Sequence, residues 1–570
     1  MELLTFFLFA TQAYAGLLPG SPGPRASATC RCFPGDSCWP ATSAWASLNS
    51  TVGGRLIATV PIGSPCHDPN YNAADCAALQ SAWQLPQTHL ASSSSVMQAI
   101  FANQSCDPFT AQTTKCLLGN YARYTVNATS SADVVAAINF ARAKNIRFVV
   151  RNTGHDYKGA STGAGSLSVW TQHLKTAQFL DWSDSSYNGK AFKMGAGIIG
   201  YEAVTLASAK GLVVLSGTCP TVGAAGGYLQ GGGHSALSTN FGLAADQVLE
   251  WEVATAAGKI VKASRTNNSD LYWALSGGGG GTYAVVLSAT VRAYTDAKVG
   301  GAQLQMAAAY TTPDKFYQAI AKFHAMVPNI TDSGTSIAFI FNSQVFQITP
   351  ITAFNQTSAQ VQTILAPFLA VLTELDIPST ITYSDSTTYY DHYNMYMGPL
   401  PYGHLQVEAY QFSSRLIPRK VLETNNDAFQ KALRNITENG VIAVSVALNV
   451  TRQASSPNAV LPAWRDAAIH MQMTLPWNNT PSAWPQMIAD EYRLTNELVP
   501  QIEQVTPGSG VYMNEGDFRT VDWQKEWYGG NYNKLLGIKK QWDPEGLLYG
   551  LKTVGSEAWT VGNDGRMCRA

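Results

Sequence analysis

From Thr125 onward the apolar positions fall into regular spacings. Ser130 stands three residues before Asp133 as a capping-box pair, and Val134, Ile138 and Ala141 follow as an apolar stripe, so a helix is predicted here. The short apolar run at 147–150 predicts a strand that ends in the loop beginning at Arg151. Residues 191–194 lead into Gly195-Ala-Gly197-Ile-Ile-Gly200 and a helical stretch to Lys210, and residues 271–286 read as a helix, a glycine turn and a strand. Beyond about residue 300 the texture changes. Partly alternating runs at 336–346, 404–416, 440–450 and 467–475 predict strands, and stripes at 313–327, 358–375 and 419–433 predict helices packed on them. That mixture predicts an α+β domain with a mostly antiparallel sheet backed by helices.

Residues 16–116 mix Pro, Gly, Ser and Cys with short helical fragments and read as a loop-rich, disulfide-stapled segment. Residues 1–15 hold an apolar stretch too short to span a bilayer and end in Ala13-Tyr14-Ala15, a small-x-small pattern that reads as a signal peptide without the usual positive start. No later apolar run is long enough to cross a membrane. A chain of 570 residues suggests two or more domains. Only 13% of residues are charged and the net charge is −1, which gives no basis for electrostatic binding to nucleic acid or to an anionic membrane. Nine sequons, at Asn49, Asn103, Asn127, Asn267, Asn329, Asn355, Asn435, Asn449 and Asn478, agree with a secretory route and glycosylation. Of nine cysteines, seven crowd the first fifth of the chain and Cys219 and Cys568 stand apart; an odd total leaves one unpaired in an oxidising compartment.

The candidate chemistry lies between Arg151 and Asp246. Arg151, Asn152, Thr153, Gly154, His155 and Asp156 follow a predicted strand, and loops at strand ends are where sites are usually built. Gly217, Thr218, Cys219, Thr221, Val222 and Gly223 come next, then Gly226, Gly227, Gly231, Gly232, Gly233 and His234. Such glycine density lets backbone N–H groups approach an anion such as a pyrophosphate. The formal G-x-G-x-x-G at 195–200 is not read as a dinucleotide Rossmann turn, because no acidic residue follows about 20 positions on to meet a ribose.

Arg-x-x-Gly-His-x-Tyr at 151–157 followed by Cys-Pro-Thr-Val-Gly at 219–223 resembles the berberine-bridge-enzyme-like FAD oxidases of the vanillyl-alcohol-oxidase superfamily, most closely the secreted fungal members, from about Cys30 to Cys568. The resemblance implies FAD bonded twice, by His155 at the 8α-methyl and by Cys219 at C6, with the residues of 151–156, 217–234, Asp246 and Asn514 around it. With Cys219 on the flavin, the other eight cysteines are enough for four disulfides, and Cys568 must reach the N-terminal cluster. The implied organisation is a two-lobed PCMH-type FAD-binding domain at 117–298, a substrate domain at 299–510 covering the flavin's open face, and a C-terminal segment at 511–570 that returns to the FAD domain.

In carbohydrate and cannabinoid oxidases of that family the base is the last Tyr of a Tyr-x-Asn-Tyr motif; here the motif ends in Glu515, after Tyr512 and Asn514. A carboxylate is ionised at neutral pH unless burial raises its pKa, so Glu515 serves as a ready base or makes a structural salt bridge or hydrogen bond. Tyr512 and His470 are the other catalytic candidates, and Gln472 and Thr474 share the face of His470 on its strand. No metal site is read. The resemblance implies a secreted oxidase acting on an alcohol or hydrophobic secondary metabolite, with O2 as acceptor and a small-molecule substrate as partner. The alternatives are a carbohydrate oxidase and a flavin-containing cyclase without net oxidation.

Overall fold

The computed structural model describes residues 30–451 and 457–570, so the signal-peptide reading and the first part of the 16–116 segment lie outside the described residues. The helix predicted from the Ser130–Asp133 pair forms as Ser131–Ala143: Ser130 Oγ accepts from Asp133 N, Asp133 Oδ2 accepts from Ser130 N at 3.0 Å, and Val134, Ala137, Ile138 and Ala141 are buried. It packs with a small sheet of β1 (Leu56–Ala58), β2 (Tyr124–Asn127), β3 (Phe148–Arg151) and β4 (Leu167–Trp170), ordered β1-β2-β4-β3, in which β4 runs parallel to both β2 and β3.

A second lobe follows. β5 (Ala177–Ser183) and β6 (Asn188–Gly195) precede the two-residue β7 (Leu212–Val213), and β8 (Val248–Thr255), β9 (Ile260–Ser264) and β10 (Ala284–Arg292) complete an antiparallel sheet ordered β5-β6-β10-β8-β9. β11 (Tyr294–Thr295) pairs with β7. The Gly195–Gly200 turn thus leaves an antiparallel strand, as the rejection of a Rossmann turn requires. A Cβ on Gly197 would lie 2.1 Å from the Gln172 carbonyl oxygen, so glycine here serves backbone packing.

The remaining strands, β12 (Val299–Ala307), β13 (Thr335–Phe341), β14 (Val345–Phe354), β15 (Ser379–Ser386), β16 (Tyr410–Pro418), β17 (Ile442–Ala447) and β18 (Ala467–Pro476), form one antiparallel sheet ordered β15-β12-β14-β13-β17-β18-β16. Helices Pro313–Asp332, Ser358–Glu374 and Asn426–Glu438 back it and share a buried core with every second strand residue. The architecture is α+β, as expected. Three expected elements differ in detail. The 336–346 run is split into a hairpin because Asn342 Oδ1 accepts from Gln344 N (2.8 Å) and Val345 N (2.9 Å), closing a turn. The 419–433 stripe is two helices, broken at Asn425. The 404–416 run becomes strand only from Tyr410.

The C-terminal segment returns to the first two lobes, where Val511, Met513, Trp523 and Trp527 belong to their core. Four disulfides form, Cys30–Cys568, Cys32–Cys38, Cys66–Cys76 and Cys106–Cys116, and Cys219 alone is free, in agreement with the cysteine count. Cys568 lies in β20 (Met567–Arg569), paired with β19 (Trp559–Val561), so one disulfide ties the chain's end to its beginning. Among the sequons, Asn449 is corrected as a glycosylation candidate: it is buried and its Nδ2 donates to Asp332 Oδ1 at 2.8 Å. Asp246, expected at the cofactor, instead joins the domains. Its carboxylate accepts from Arg465 Nη1 (2.9 Å) and Nη2 (2.7 Å) and from Asn458 Nδ2 (2.6 Å). Arg465→Met takes the guanidinium from a buried carboxylate and should lower stability by about 2–4 kcal/mol, the buried-pair range reduced for the partial exposure of Arg465. Urea denaturation measures it; a loss within error would reduce the pair to a surface contact.

Candidate active site

The end of β3 sets one wall of the site. Arg151 is buried, and its guanidinium donates to the carbonyls of His89 (3.2 Å) and Ser92 (3.0 Å), fixing the loop against the N-terminal segment. Arg151 therefore supports the site from behind. Asn152 Nδ2 donates to Thr171 Oγ1 (2.9 Å) and to the Ala196 carbonyl (2.7 Å), while Asp156 accepts from the backbone N–H of Lys158 and Ser161. Gly154, at φ +89°, turns the chain so that His155 faces a cavity of about 570 Å³.

Asn152, Thr153, Gly154, His155, Asp156, Gly217, Thr218, Cys219, Val222, Gly223, Gly226, Gly227, His234 and Asn514 all line that cavity. The other expected cofactor residues, Arg151, Thr221, Gly231, Gly232, Gly233 and Asp246, stand behind the lining. Thr221 lies between the two side chains, its Oγ1 2.8 Å from His155 Nε2 and 3.3 Å from Cys219 Sγ. Burial pushes the His155 imidazole down to about 3, helped by His89 and Arg151, so the ring is neutral; burial also pushes the Cys219 thiol up. Gly231 keeps the wall tight, since a Cβ there would lie 2.3 Å from Asn514 Oδ1, and Asn514 Nδ2 donates to the Gly227 carbonyl at 2.9 Å.

The seven-stranded sheet supplies the facing wall. Its period of two puts Val444 and Val446 of β17 and His470, Gln472 and Thr474 of β18 on the cavity, with Ala443, Ala447, Ile469, Met471 and Met473 in the opposite core. Thr474 Oγ1 donates to the Ile442 carbonyl at 3.1 Å. His470 and Gln472 converge on Glu515, which the short turn Met513–Glu515 brings from the C-terminal segment. Glu515 Oε2 accepts from His470 Nε2 (2.5 Å) and Gln472 Nε2 (2.5 Å), and Oε1 accepts from His234 Nε2 (3.0 Å). Burial alone would raise this carboxyl, but the two imidazoles and their hydrogen bonds outweigh it and hold Glu515 well below the usual carboxylate range. Burial in turn lowers the His470 imidazole. Tyr512 is buried, accepts from Gly233 N (3.2 Å) and Asn514 Nδ2 (2.8 Å), and has its pKa raised by burial and by the Glu515 charge. It is a neutral phenol at the cavity's edge.

The ligand atoms of His234, His470 and Glu515 lie within 4.8 Å of one another, a grouping the sequence reading did not foresee. Both Nε2 atoms already donate to the carboxylate, and neither Nδ1 has the acceptor that commonly sits behind a metal-bound imidazole. The two rings and Gln472 together hydrogen-bond both oxygens of the carboxylate. Sequence reasoning also passed over Tyr157, stacked on Phe412 at 4.3 Å, and the loop 404–408, both on the cavity. Tyr157 was within the motif already quoted; the loop read as strand.

A long cavity walled by glycine backbone on one side, with the unpartnered Asn152 Oδ1 behind it and His155 and Cys219 at its edge, fits a flavin dinucleotide. The fold and site together define a two-domain flavoprotein. An FAD binding domain model matches residues 122–264 and a berberine and berberine-like model matches residues 511–549. The FAD-linked oxidoreductase ZEB1 of Gibberella zeae is 48% identical over 95% of this chain and 96% of its own, and the FAD-linked oxidoreductase patO of Aspergillus clavatus is 46% identical over 95% and 94%. The crystal structure of the VAO-type flavoprotein MtVAO615 from Myceliophthora thermophila superposes with a TM-score of 0.92 at 41% identity, covering 95% of this chain and all of that one. The chain belongs to the berberine-bridge-enzyme-like, VAO-type FAD-linked oxidoreductases of fungi; its cofactor is FAD and it is an FAD-dependent oxidoreductase.

Loop 404–408 carries a further titrating group. Val407 N donates to the Gln84 carbonyl (3.0 Å) and Trp83 Nε1 to Glu408 Oε2 (3.0 Å), while Glu408 Oε1 has no partner. Burial pushes the Glu408 carboxyl up to about 8 from an ordinary 4.5. The folded state therefore holds the proton more tightly, and stability falls as pH rises through that window. Glu408→Gln should flatten the fall and, at pH 8.5, stabilise the protein by on the order of 3 kcal/mol, with little change at pH 4.5. Thermal melts across the range test this; parallel curves for the two proteins would refute it.

Proposed function

We propose that the protein is a secreted oxidase carrying FAD bonded to both His155 and Cys219, which oxidises an alcohol group of a hydrophobic secondary metabolite with O2 as acceptor. The observation that carries this reading is the pairing of two attachment residues on one cavity wall with an ionised carboxylate, Glu515, on the other. FAD held there would supply the hydride acceptor, at N5, with O2 as the terminal oxidant forming H2O2.

The protein's own residues bind, orient and take the proton. Glu515 Oε2 accepts two hydrogen bonds but Oε1 only one, so Oε1 keeps a lone pair for a substrate hydroxyl. His234, His470 and Gln472 fix the carboxylate's orientation. Ile340, Val444, Val446 and Phe412 give the substrate side an apolar face, which supports a hydrophobic alcohol over a carbohydrate, whose hydroxyls need many polar partners. Four disulfides support an oxidising compartment, and no helix among the described residues is long and apolar enough to cross a membrane.

Mass spectrometry of tryptic peptides should find flavin on both His155 and Cys219 after acid precipitation. Free flavin with unmodified peptides at both positions would defeat double attachment. A peroxide assay across aromatic and aliphatic alcohols and oligosaccharides separates the alcohol reading from the carbohydrate one, and no peroxide with any substrate that is turned over would favour a cyclase. With a substrate in hand, Glu515→Gln should slow anaerobic bleaching of the flavin by about 10²- to 10⁴-fold, the range for general base catalysis, while flavin attachment stays intact. A parental bleaching rate across pH would assign Glu515 to structure.

A further inference from the structure

The geometry points to Thr221 as the positioning residue that prepares both attachment atoms, accepting a hydrogen bond from His155 and donating one to Cys219. This rests on the double attachment proposed above. Thr221 is fully buried two residues after Cys219, and its hydroxyl is within hydrogen-bond reach of both reactive side chains, 2.8 Å from His155 Nε2 and 3.3 Å from Cys219 Sγ. A hydroxyl has one proton to give and lone pairs to receive, so it can serve the two neighbours at once only in complementary roles.

The neutral state of His155 decides which role goes where. A neutral imidazole carries a single N–H. When that N–H is on Nε2 and points to Thr221 Oγ1, Nδ1 keeps its lone pair and is the nucleophilic nitrogen. The Thr221 proton is then available to Cys219 Sγ, where it stabilises the thiolate, the reactive form of a cysteine. Cys219 needs that help because its burial favours the thiol, and the N–H groups of Thr221 and Val222 act in the same direction as the hydroxyl. The opposite orientation, with Thr221 donating to Nε2, would put the proton on Nδ1 and block it.

Each attachment breaks one flavin C–H bond and one N–H or S–H bond and forms one N–C or S–C bond. Two electrons remain on the flavin ring, and O2 takes them with the two protons as H2O2. After His155 is bonded through Nδ1, its Nε2 has lost the proton, and the Thr221 hydroxyl turns from acceptor to donor. Serine reproduces that reversal and valine, of nearly the same shape, does not.

The test compares purified wild-type protein, Thr221→Val and Thr221→Ser, each with its FAD. Peptide mass spectrometry reads the flavin-bearing fraction at His155 and Cys219 separately, over time and from pH 6 to 9, and in-gel fluorescence after denaturation reads the total. We expect full attachment in wild type and Thr221→Ser and at least tenfold slower attachment at both positions in Thr221→Val. Raising the pH should recover Cys219 attachment in the Val variant, since hydroxide then makes the thiolate, and leave His155 attachment low. A role in packing alone would give no such split. Wild-type attachment rates at both positions in Thr221→Val overturn the inference, as does equal loss in Thr221→Ser. If Thr221→Val does not accumulate, Thr221→Ala is read against Thr221→Ser by the same criteria. Wild-type peptides without flavin at both positions would instead remove the double-attachment reading, leaving the two failures distinct.

Discussion

The structure depends on keeping the Glu515 charge satisfied inside the seam between its two domains. An ionised carboxylate in a protein interior costs several kcal/mol unless it is paired and hydrogen-bonded. Here the partners come from separate parts of the chain: His234 from the cofactor lobes, His470 and Gln472 from β18, and Glu515 from the C-terminal return. The charge is satisfied only when all three have docked. Asp246 and Arg465 repeat the arrangement elsewhere on the seam, one from each domain. Charge pairing therefore sets how the cofactor wall and the substrate wall face each other, and so the shape of the cavity between them.

Much of this was legible in the sequence where a residue type states its own physics. The capping box at Ser130 fixed the helix start, alternation revealed β17 and β18, and the odd cysteine count left one thiol over, which the resemblance placed at Cys219. What escaped was set by distant contacts or by missing side chains. β12 carries Gly300 and Gly301, which interrupt any alternation; a Cβ on Gly300 would meet the Thr357 backbone at 2.6 Å. Asn342 hides a turn inside an apolar run. Asp246 was placed at the cofactor by the resemblance, yet its carboxylate accepts from Asn458 and Arg465, more than 200 residues away. Glu408 fell inside the run read as a strand, and its burial is set by a contact with Trp83, 325 residues away.

The two walls differ in how their side chains are held. On the cofactor side, Asn152, Thr221 and Asn514 are locked by hydrogen bonds to backbone and to one another's loops, and glycine leaves no room for a side chain to intrude. On the seven-stranded sheet, the strand period sends neighbours such as Val444 and Ala443 to opposite faces, so Val444 touches the cavity while Ala443 packs in the core. Substitution at Val444 or Val446 changes the cavity surface and spares the helix-backed core. Substitution in the core would move the strand and with it His470.

Glu515 stands where these walls meet, and the two demands on it conflict. Each donor that holds the carboxylate in place also stabilises its ionised form and so would weaken it in the proposed role of base. Three donors give position at the expense of basicity. The imbalance between its oxygens eases the conflict: Oε2 carries two of the donors, and Oε1, with His234 alone, keeps the better acceptor lone pair. A proton placed on Oε1 would neutralise the buried charge and relieve the desolvation that opposes it, so in the proposed reaction its protonation would become more favourable as water is excluded. In the role proposed for it, Glu515 would thus be held in orientation by one oxygen and act through the other.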